Sequence, residues 1–372
     1  MNSNQNLDTP FLSEQIITYL GNKRSLLEFI DSAVNVVQEE LGRTNISTLD
    51  LFSGSGIVSR YFKTFASHVY ANDLEGYSSR INHCYLMNKS EYKEAELDKW
   101  FNYIIQELNK RGLSSGFIAR LYSPKDDKNI QLGERAFYTT RNGQYIDTVR
   151  QILEDVPEPY QTLLICPLLY EASVKNNTCG VFKGFYKNSQ TNVGQFGGDG
   201  RNATARICAD IELKKPIGLD RECPYTIYQE DANTLVKKLP KVDLAYLDPP
   251  YNQHPYSSNY FMLNLINDYV EPQEISKVAG IPTGWNKSNY NKKSHALSSM
   301  KQLCQDINAT YILISFNSDG FISKDEMVEM LSEIGSVEIF AKDYNTYRAS
   351  RNLANRDLHV KEYLYLVKKK GQ

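Results

Sequence analysis

A mostly parallel α/β sheet flanked by helices and broken by a long insertion is the fold class that this sequence predicts. Three observations carry the prediction. Short apolar runs at residues 47–52, 68–71 and 242–247 end in glycine or acid, as strands buried on both faces do. A glycine turn, Ser53-Gly54-Ser55-Gly56, separates the first run from a helical stretch. The alternation lapses over residues 85–225 and then resumes, which is how an insertion reads.

Taken in order, the first dozen residues read as a loose tail. Residues 24–41 place Leu26, Leu27, Phe29, Ile30, Ala33, Val34 and Val37 at helical spacing,. Residues 47–52 form a strand, 57–65 a helix, and 68–71 a second strand closed by Asn72-Asp73. Strand, glycine turn, helix, strand and acid make the opening βαβ unit of a Rossmann-like sheet. The insertion reads as helical near residues 91–111 and otherwise as short strands and loops. Beyond it, residues 225–228 form a strand, Glu230-Asp231 precede a short helix over 232–239, and a strand over 242–247 delivers Asp248. Residues 276–296 are polar and rich in turn residues, so they read as a mobile loop. Residues 311–316 form another strand. Ser323-Lys324-Asp325-Glu326 is a capping box that opens a helix to about Ile334, stopped by Gly335,. Residues 337–340 and 363–367 are β-rich and close the sheet as a hairpin. The predicted division is a first half of the sheet domain over 1–84, an insertion over 85–225 and a second half over 226–372.

The 372 residues suffice for about two domains,. Lys and Arg number 42 against 44 Asp and Glu, which excludes a globally basic coat but leaves room for a locally basic face. The six cysteines, Cys84, Cys166, Cys179, Cys208, Cys223 and Cys304, form no C-x-x-C pair, so they signal neither a zinc site nor a disulfide framework. They read as buried, reduced thiols. The longest apolar run, residues 162–170, contains Pro167 and is too short to span a bilayer,. The polar start lacks the order of a signal peptide. The expectation is a soluble cytoplasmic protein with no membrane partner and no metal.

Four constellations carry chemistry. Asp50-Leu51-Phe52-Ser53-Gly54-Ser55-Gly56 lacks both the third glycine of G-x-G-x-x-G and the Lys-Ser/Thr of a P-loop. Asp73 follows at the end of the next strand, where an acid meets ribose hydroxyls; such an acid also serves as a helix cap. A shortened glycine turn with a ribose acid fits an adenosine ligand without a pyrophosphate, and S-adenosylmethionine fits better than NAD. Tyr19-Leu20-Gly21-Asn22-Lys23 reads either as a helix start with a solvated lysine or as groups reaching the methionine half of that ligand, with Lys23 pairing its carboxylate. Asp248-Pro249-Pro250-Tyr251 offers an acceptor, a stiff backbone and an aromatic face, which suit holding a planar ring by its amino group.

In that order, these motifs resemble the Dam-like, alpha-arrangement DNA adenine-N6 methyltransferases, and the stretch from Asp248 to Tyr260 most resembles their type II restriction–modification members. The resemblance implies a Rossmann-like S-adenosylmethionine-dependent methyltransferase sheet with an inserted DNA target-recognition domain. It implies S-adenosylmethionine against Tyr19, Lys23, Asp50, Phe52, Gly54, Gly56, Asp73, Asp231 and Asp248, although the Glu230-Asp231 pair also reads as a helix N-cap. It implies transfer to an adenine flipped out of duplex DNA, with Asp248 and the Pro249 carbonyl accepting from the amine and Tyr251 stacking on the base. Tyr260 is a further candidate for the base pocket, or core like Phe261; His254 reads as a loop histidine. It also implies a cognate restriction endonuclease acting without a stable complex.

Between Lys175 and Lys215, seven basic residues stand against three acidic ones, interleaved with Phe182, Phe185, Tyr186 and Phe196. Lys183, Lys187 and Arg201 are the candidate phosphate contacts, with the aromatics packing or wedging. Tyr347-Arg348 and Arg351 are further candidates. A solvated hairpin explains the same composition. Amino methylation of cytosine, methylation of RNA or protein, and a non-catalytic DNA-binding specificity factor remain open on these motifs.

Overall fold

The computed structural model describes residues 7–345 and 359–371. The chain opens with a turn of helix, α1 (Pro10–Ser13), whose Phe11 and Leu12 are buried. The expected loose tail is therefore wrong from residue 10 on, because these two side chains join the core. The helical spacing at 24–41 becomes a 3-10 turn, Arg24–Leu26, running into α2 (Leu27–Leu41) and ending at Gly42 in the left-handed conformation,. Then come β1 (Ser47–Asp50), α3 (Ile57–Lys63), β2 (His68–Asn72) and α4 (Gly76–Leu86).

The insertion departs from expectation. It is built of α5 (Glu94–Arg111), α6 (Phe117–Tyr122), α7 (Thr140–Leu153), α8 (Tyr160–Val174) and α9 (Thr204–Ile207). The expected short strands reduce to one isolated bridge, Lys187 to Gly194, among the described residues. The helix α8 is apolar on every side and holds Pro167, so it shows no period and its proline reads as a break. Pro167 leaves the Leu163 carbonyl without its helical donor, and the Cys84 thiol of α4 approaches that oxygen at 4.0 Å.

After the insertion come β3 (Tyr225–Tyr228), α10 (Ala232–Leu235), β4 (Val242–Leu247), α11 (Tyr256–Asn259) and α12 (Phe261–Asp268). The supposed mobile loop is structured: it holds a bridge from Ile275 to Pro282, a 3-10 turn at Asn289–Asn291 and the start of α13 (Lys293–Asp306). Last come β5 (Ala309–Asn317), α14 (Lys324–Ile334), β6 (Gly335–Asn345) and β7 (His359–Lys369). The Ser323–Glu326 capping box is formed. Gly335 is extended, so it opens β6 directly instead of capping α14 in the left-handed conformation.

The sheet order is β3-β2-β1-β4-β5-β7-β6. The strands from β3 to β5 run parallel, and β7 and β6 form the antiparallel closing hairpin. Alternate residues of each central strand serve opposite layers. Leu244 and Tyr246 pack with α2, α3 and the insertion helices, whereas Ala245 and Leu247 pack with α10, α13 and α14. The insertion thus shares one continuous core with a face of the sheet. Four of the cysteines are buried as expected, but Cys208 is exposed. Among the described residues, no helix is long and apolar enough to cross a membrane.

Asp147 of α7 fastens α6 within that core. Its carboxylate accepts from the backbone N–H groups of Gly116, Ile118 and Ala119 at 2.8–3.1 Å and from the Tyr269 hydroxyl at 2.9 Å. The side chain is fully buried. Asp147→Ala strands these donors and is expected to lower stability by about 2–3 kcal/mol, measured by urea unfolding. An unchanged midpoint would show that the cap is replaceable.

Candidate active site

Pairing of β1 with β4 places Asp50 opposite Tyr246, and the Leu51 N–H donates to the Tyr246 carbonyl at 3.1 Å. The chain builds β2 and β3 on one side of this pair and β5 on the other, so a crevice opens where the order reverses. The carboxyl ends of four parallel strands bring Asp50, Asp73, Glu230-Asp231 and Asp248 to this edge, where all of them line one cleft.

The glycine turn is fastened to Asp73. The Gly54 N–H donates to the Asp73 carboxylate at 2.7 Å, and the Glu75 N–H donates to its other oxygen at 2.9 Å. Gly54 has φ +48°, and a Cβ there would sit 2.9 Å from the Tyr19 ring, so only glycine lets the ring lie against the turn. The Tyr19 ring stacks against Tyr256 at 4.9 Å and Tyr260 at 4.6 Å, which are themselves 6.0 Å apart, so the three rings form one cluster. Phe52 meets Tyr290 edge to face at 5.4 Å on the cleft wall.

The electrostatics are one-sided. Asp50 is buried; Ser59 donates to one of its oxygens at 2.7 Å, and the other has no hydrogen-bond partner among the described residues. Burial pushes its carboxyl up to about 7, against the Ser59 hydrogen bond. Burial lifts Asp73 to about 6, opposed by its backbone donors. Burial also lifts Asp248 to about 6, with Lys23 opposing and Glu362 reinforcing. Lys23 is itself buried, with its ammonium 3.1 Å from Asp248 and 3.3 Å from Glu362. Burial works against that charge, but the two carboxylates hold it well above the ordinary lysine value. An orphaned acceptor and crowded acids fit a ligand bearing positive charge and hydroxyl donors.

A second groove meets the cleft at Tyr19, Gly21, Asn22 and Lys23, and its walls include Leu20, Gly180, Tyr251, Asn317 and Glu362. Asp248 lines the cleft and Tyr251 the groove.

Several expectations need correction. Tyr260 is fully buried, with its hydroxyl accepting from the Leu20 N–H at 2.6 Å; it backs Tyr19 and lines neither opening. Asp231 caps α10 by accepting from the Thr234 N–H at 3.0 Å while also facing the cleft, so both of its readings hold. Lys23 is committed to two carboxylates, not solvated. His254 has a neighbour, the Lys183 ammonium at 3.3 Å. Within the basic segment, Lys175 and Lys214 pair with Glu171, Lys215 pairs with Asp98, and Arg206 donates to the Val174 carbonyl. Lys183, Lys187 and Arg201 remain without a carboxylate among the described residues. Phe182 is core, packed with Phe137 and Phe261, and cannot wedge into a base step. Tyr347, Arg348 and Arg351 lie outside the described residues.

Sequence reasoning missed Glu75, Ser257, Asn286, Tyr290 and Glu362. The Ser257 hydroxyl donates to Glu75 at 2.6 Å and lies 2.9 Å from the Asn286 carbonyl, so its one proton is shared between them and holds the 276–296 segment at the cleft. No local motif marks these residues; only the fold brings them together.

The family model of D12 class N6 adenine-specific DNA methyltransferases matches residues 19–330. Over 95% of its length the chain is 30% identical to the type II methyltransferase M.NlaIII of Neisseria lactamica, covering 99% of that protein. It is 29% identical to the type II methyltransferase M.CviAII of Paramecium bursaria Chlorella virus 1, over 94% of this chain and 98% of that one. It is 28% identical to the type II methyltransferase M.FokI of Planomicrobium okeanokoites, over 94% of this chain and 52% of that longer one. Among solved structures, the bifunctional kinase-methyltransferase WbdD aligns at 9% identity with a TM-score of 0.34, over 93% of this chain and 40% of that one; a likeness that low carries no argument, and the fold rests on its strand order. The family is defined on adenine in DNA, so cytosine, RNA, protein and non-catalytic readings fall away. With the ordered motifs gathered on one sheet edge and the family match spanning most of the sequence, the chain belongs to the D12 class N6 adenine-specific DNA methyltransferases.

Proposed function

We propose that the cleft holds S-adenosylmethionine, which the family implies, and that the second groove receives the target adenine. The observation that carries this reading is the meeting of two openings at Gly21–Lys23, with Asp248 on one side and Tyr251 on the other. The donor supplies an electrophilic sulfonium methyl. Asp73 accepts from ribose hydroxyls, and the free oxygen of Asp50 accepts from a cationic or hydroxyl donor. Phe52, Gly54, Tyr19 and Asp231 shape the walls, whereas Gly56 does not line the cleft and turns the chain into α3 in the left-handed conformation. Asp248 and the Pro249 carbonyl accept the two N–H bonds of the adenine amine, which turns its lone pair toward the methyl. The paired prolines keep that geometry at low entropic cost. Tyr251 supplies the stacking face for the flipped base.

The insertion, residues 85–225, is the proposed target-recognition region, set between sheet halves 1–84 and 226–372. Lys183, Lys187 and Arg201 anchor phosphates of duplex DNA. The relatives' names support a modification role; a cognate restriction endonuclease that works without a stable complex, and a cytoplasmic location, are further parts of the proposal.

Asp248→Asn and Tyr251→Ala are expected to slow single-turnover methylation of duplex DNA by about 100-fold or more, with the product read as N6-methyladenine by mass spectrometry. Full transfer by both variants would sink the assignment. Replacing Lys183, Lys187 and Arg201 together by Ala is expected to lower the salt slope of DNA binding by about 3; an unchanged slope would place the phosphates elsewhere.

The pH dependence has a definite sign. Asp50, Asp73 and Asp248 are raised to about 7, 6 and 6, so between their ordinary carboxyl values and these the free native state holds more protons than the unfolded one. Their contribution to stability is full below the ordinary range and is lost as pH rises through about 6–7. A cationic ligand favours the ionised forms and releases those protons. S-adenosylmethionine is therefore expected to raise the melting temperature more at about pH 8 than at about pH 5.5, with proton release visible by calorimetry in two buffers. Equal stabilisation without proton release would show that the acids do not face the ligand.

A further inference from the structure

The family match ends at residue 330, yet a buried carboxylate from beyond it reaches the reactive edge. Glu362 of β7 lies opposite Asn317 at the carboxyl end of β5. The Ser315 hydroxyl donates to its Oε1 at 2.7 Å, and the Lys23 ammonium lies 3.3 Å from the same atom. The Glu362 and Lys23 side chains are each 6% exposed, whereas that of Asp248 is 20% exposed.

An ammonium taken out of water draws hard on whatever carboxylate it can reach. With Asp248 alone as its partner, Lys23 would close onto it as a one-to-one pair and compete with an incoming amine for its lone pairs. Glu362 changes the balance. Two carboxylates share one ammonium, the three groups together keep one negative charge, and the cation is held from the β7 side by an acid that Ser315 anchors. We propose that Glu362 is a positioning residue for methyl transfer, dividing the Lys23 ammonium so that Asp248 keeps an acceptor oxygen for the target amine. This rests on the reading of Asp248 as that acceptor.

The groups facing Asp248 are Lys23 from the segment before α2, Glu362 from β7, Asp50 from β1, Tyr246 from β4, and Tyr251 and Tyr256 beyond the proline pair. Burial holds the three tyrosines neutral through the pH range in which the acids titrate. Removing the Glu362 charge leaves Lys23 to Asp248 alone, which makes Asp248 a weaker base and a poorer acceptor.

The test is the pH profile of single-turnover methyl transfer to duplex DNA. Glu362→Gln keeps the shape of the side chain without its charge. It is expected to be about 10-fold slower or more, with the acid limb moved down by about half a pH unit or more. Glu362→Asp keeps the charge but withdraws it by one methylene, and it should fall between Glu362→Gln and the wild type in both respects. If Glu362→Gln does not fold, the intermediate limb of Glu362→Asp carries the test. A wild-type rate, or a slower rate with an unmoved limb, overturns the proposal and leaves Glu362 a structural ion-pair partner. Asp248→Asn is run beside them. Its retaining transfer would instead fault the acceptor reading, whatever the Glu362 variants do.

Discussion

The parallel pairing of β1 with β4 is the constraint on which the rest depends. These strands lie far apart in sequence, one before the insertion and one after it. Their register, Asp50 against Tyr246, decides that the glycine turn and the Asp-Pro-Pro-Tyr loop leave the sheet at the same edge. Because β2 and β3 extend one way and β5 the other, a cleft opens at the carboxyl ends of the pair,. The same geometry concentrates acids where water is scarce. The Asp248 charge adds to what burial already costs Asp50 on ionising, a crowding that a cation bound there would relieve.

The insertion serves the site through packing as much as through charge. Its helices are no separate globule, since Ile104, Ile146, Leu164 and Leu168 belong to the core that contains Leu244 and Tyr246. Phe182 plugs into this core beside Phe137 and Phe261, and its N–H donates to the Asn259 carbonyl at 2.7 Å. That anchor fixes the next residue, Lys183, beside His254 on the loop that follows Tyr251. Lys183 is thus tied to the segment after Tyr251 by the Phe182 backbone and by its own ammonium, and a phosphate bound there, as proposed, would be held at a fixed place relative to Asp248.

The sheet was legible in the sequence because its signals are local. Buried strands are short apolar runs, and the glycine turn and the capping box are set by neighbours a few residues apart. The helices α7 and α8 were illegible for the opposite reason. Asn142, Asp147 and Thr148 are as buried as Ile146 and Val149, so the buried side of α7 does not read as an apolar stripe, and α8 has apolar residues all round with a proline inside. At the site, Asp50, Asp73 and Asp248 stood out by their place at strand ends. Tyr260 was misjudged because a tyrosine next to a motif looks the same whether its ring faces a cavity or backs another ring. Glu362 carried no signal at all, since its relation to Lys23 exists only once β7 has entered the sheet between β5 and β6.

Lys23 shows why a residue's role is a matter of geometry and not only of charge. The sequence suggests a partner for the carboxylate of the methyl donor, whereas the fold commits the ammonium to Asp248 and Glu362. The two roles are compatible, because an ammonium has three N–H bonds and the two carboxylates use two. Lys23 also lines both openings, so its third donor has access to the donor side. On the proposed reading, an anion bound in the cleft would draw on the same ammonium that Asp248 and Glu362 share.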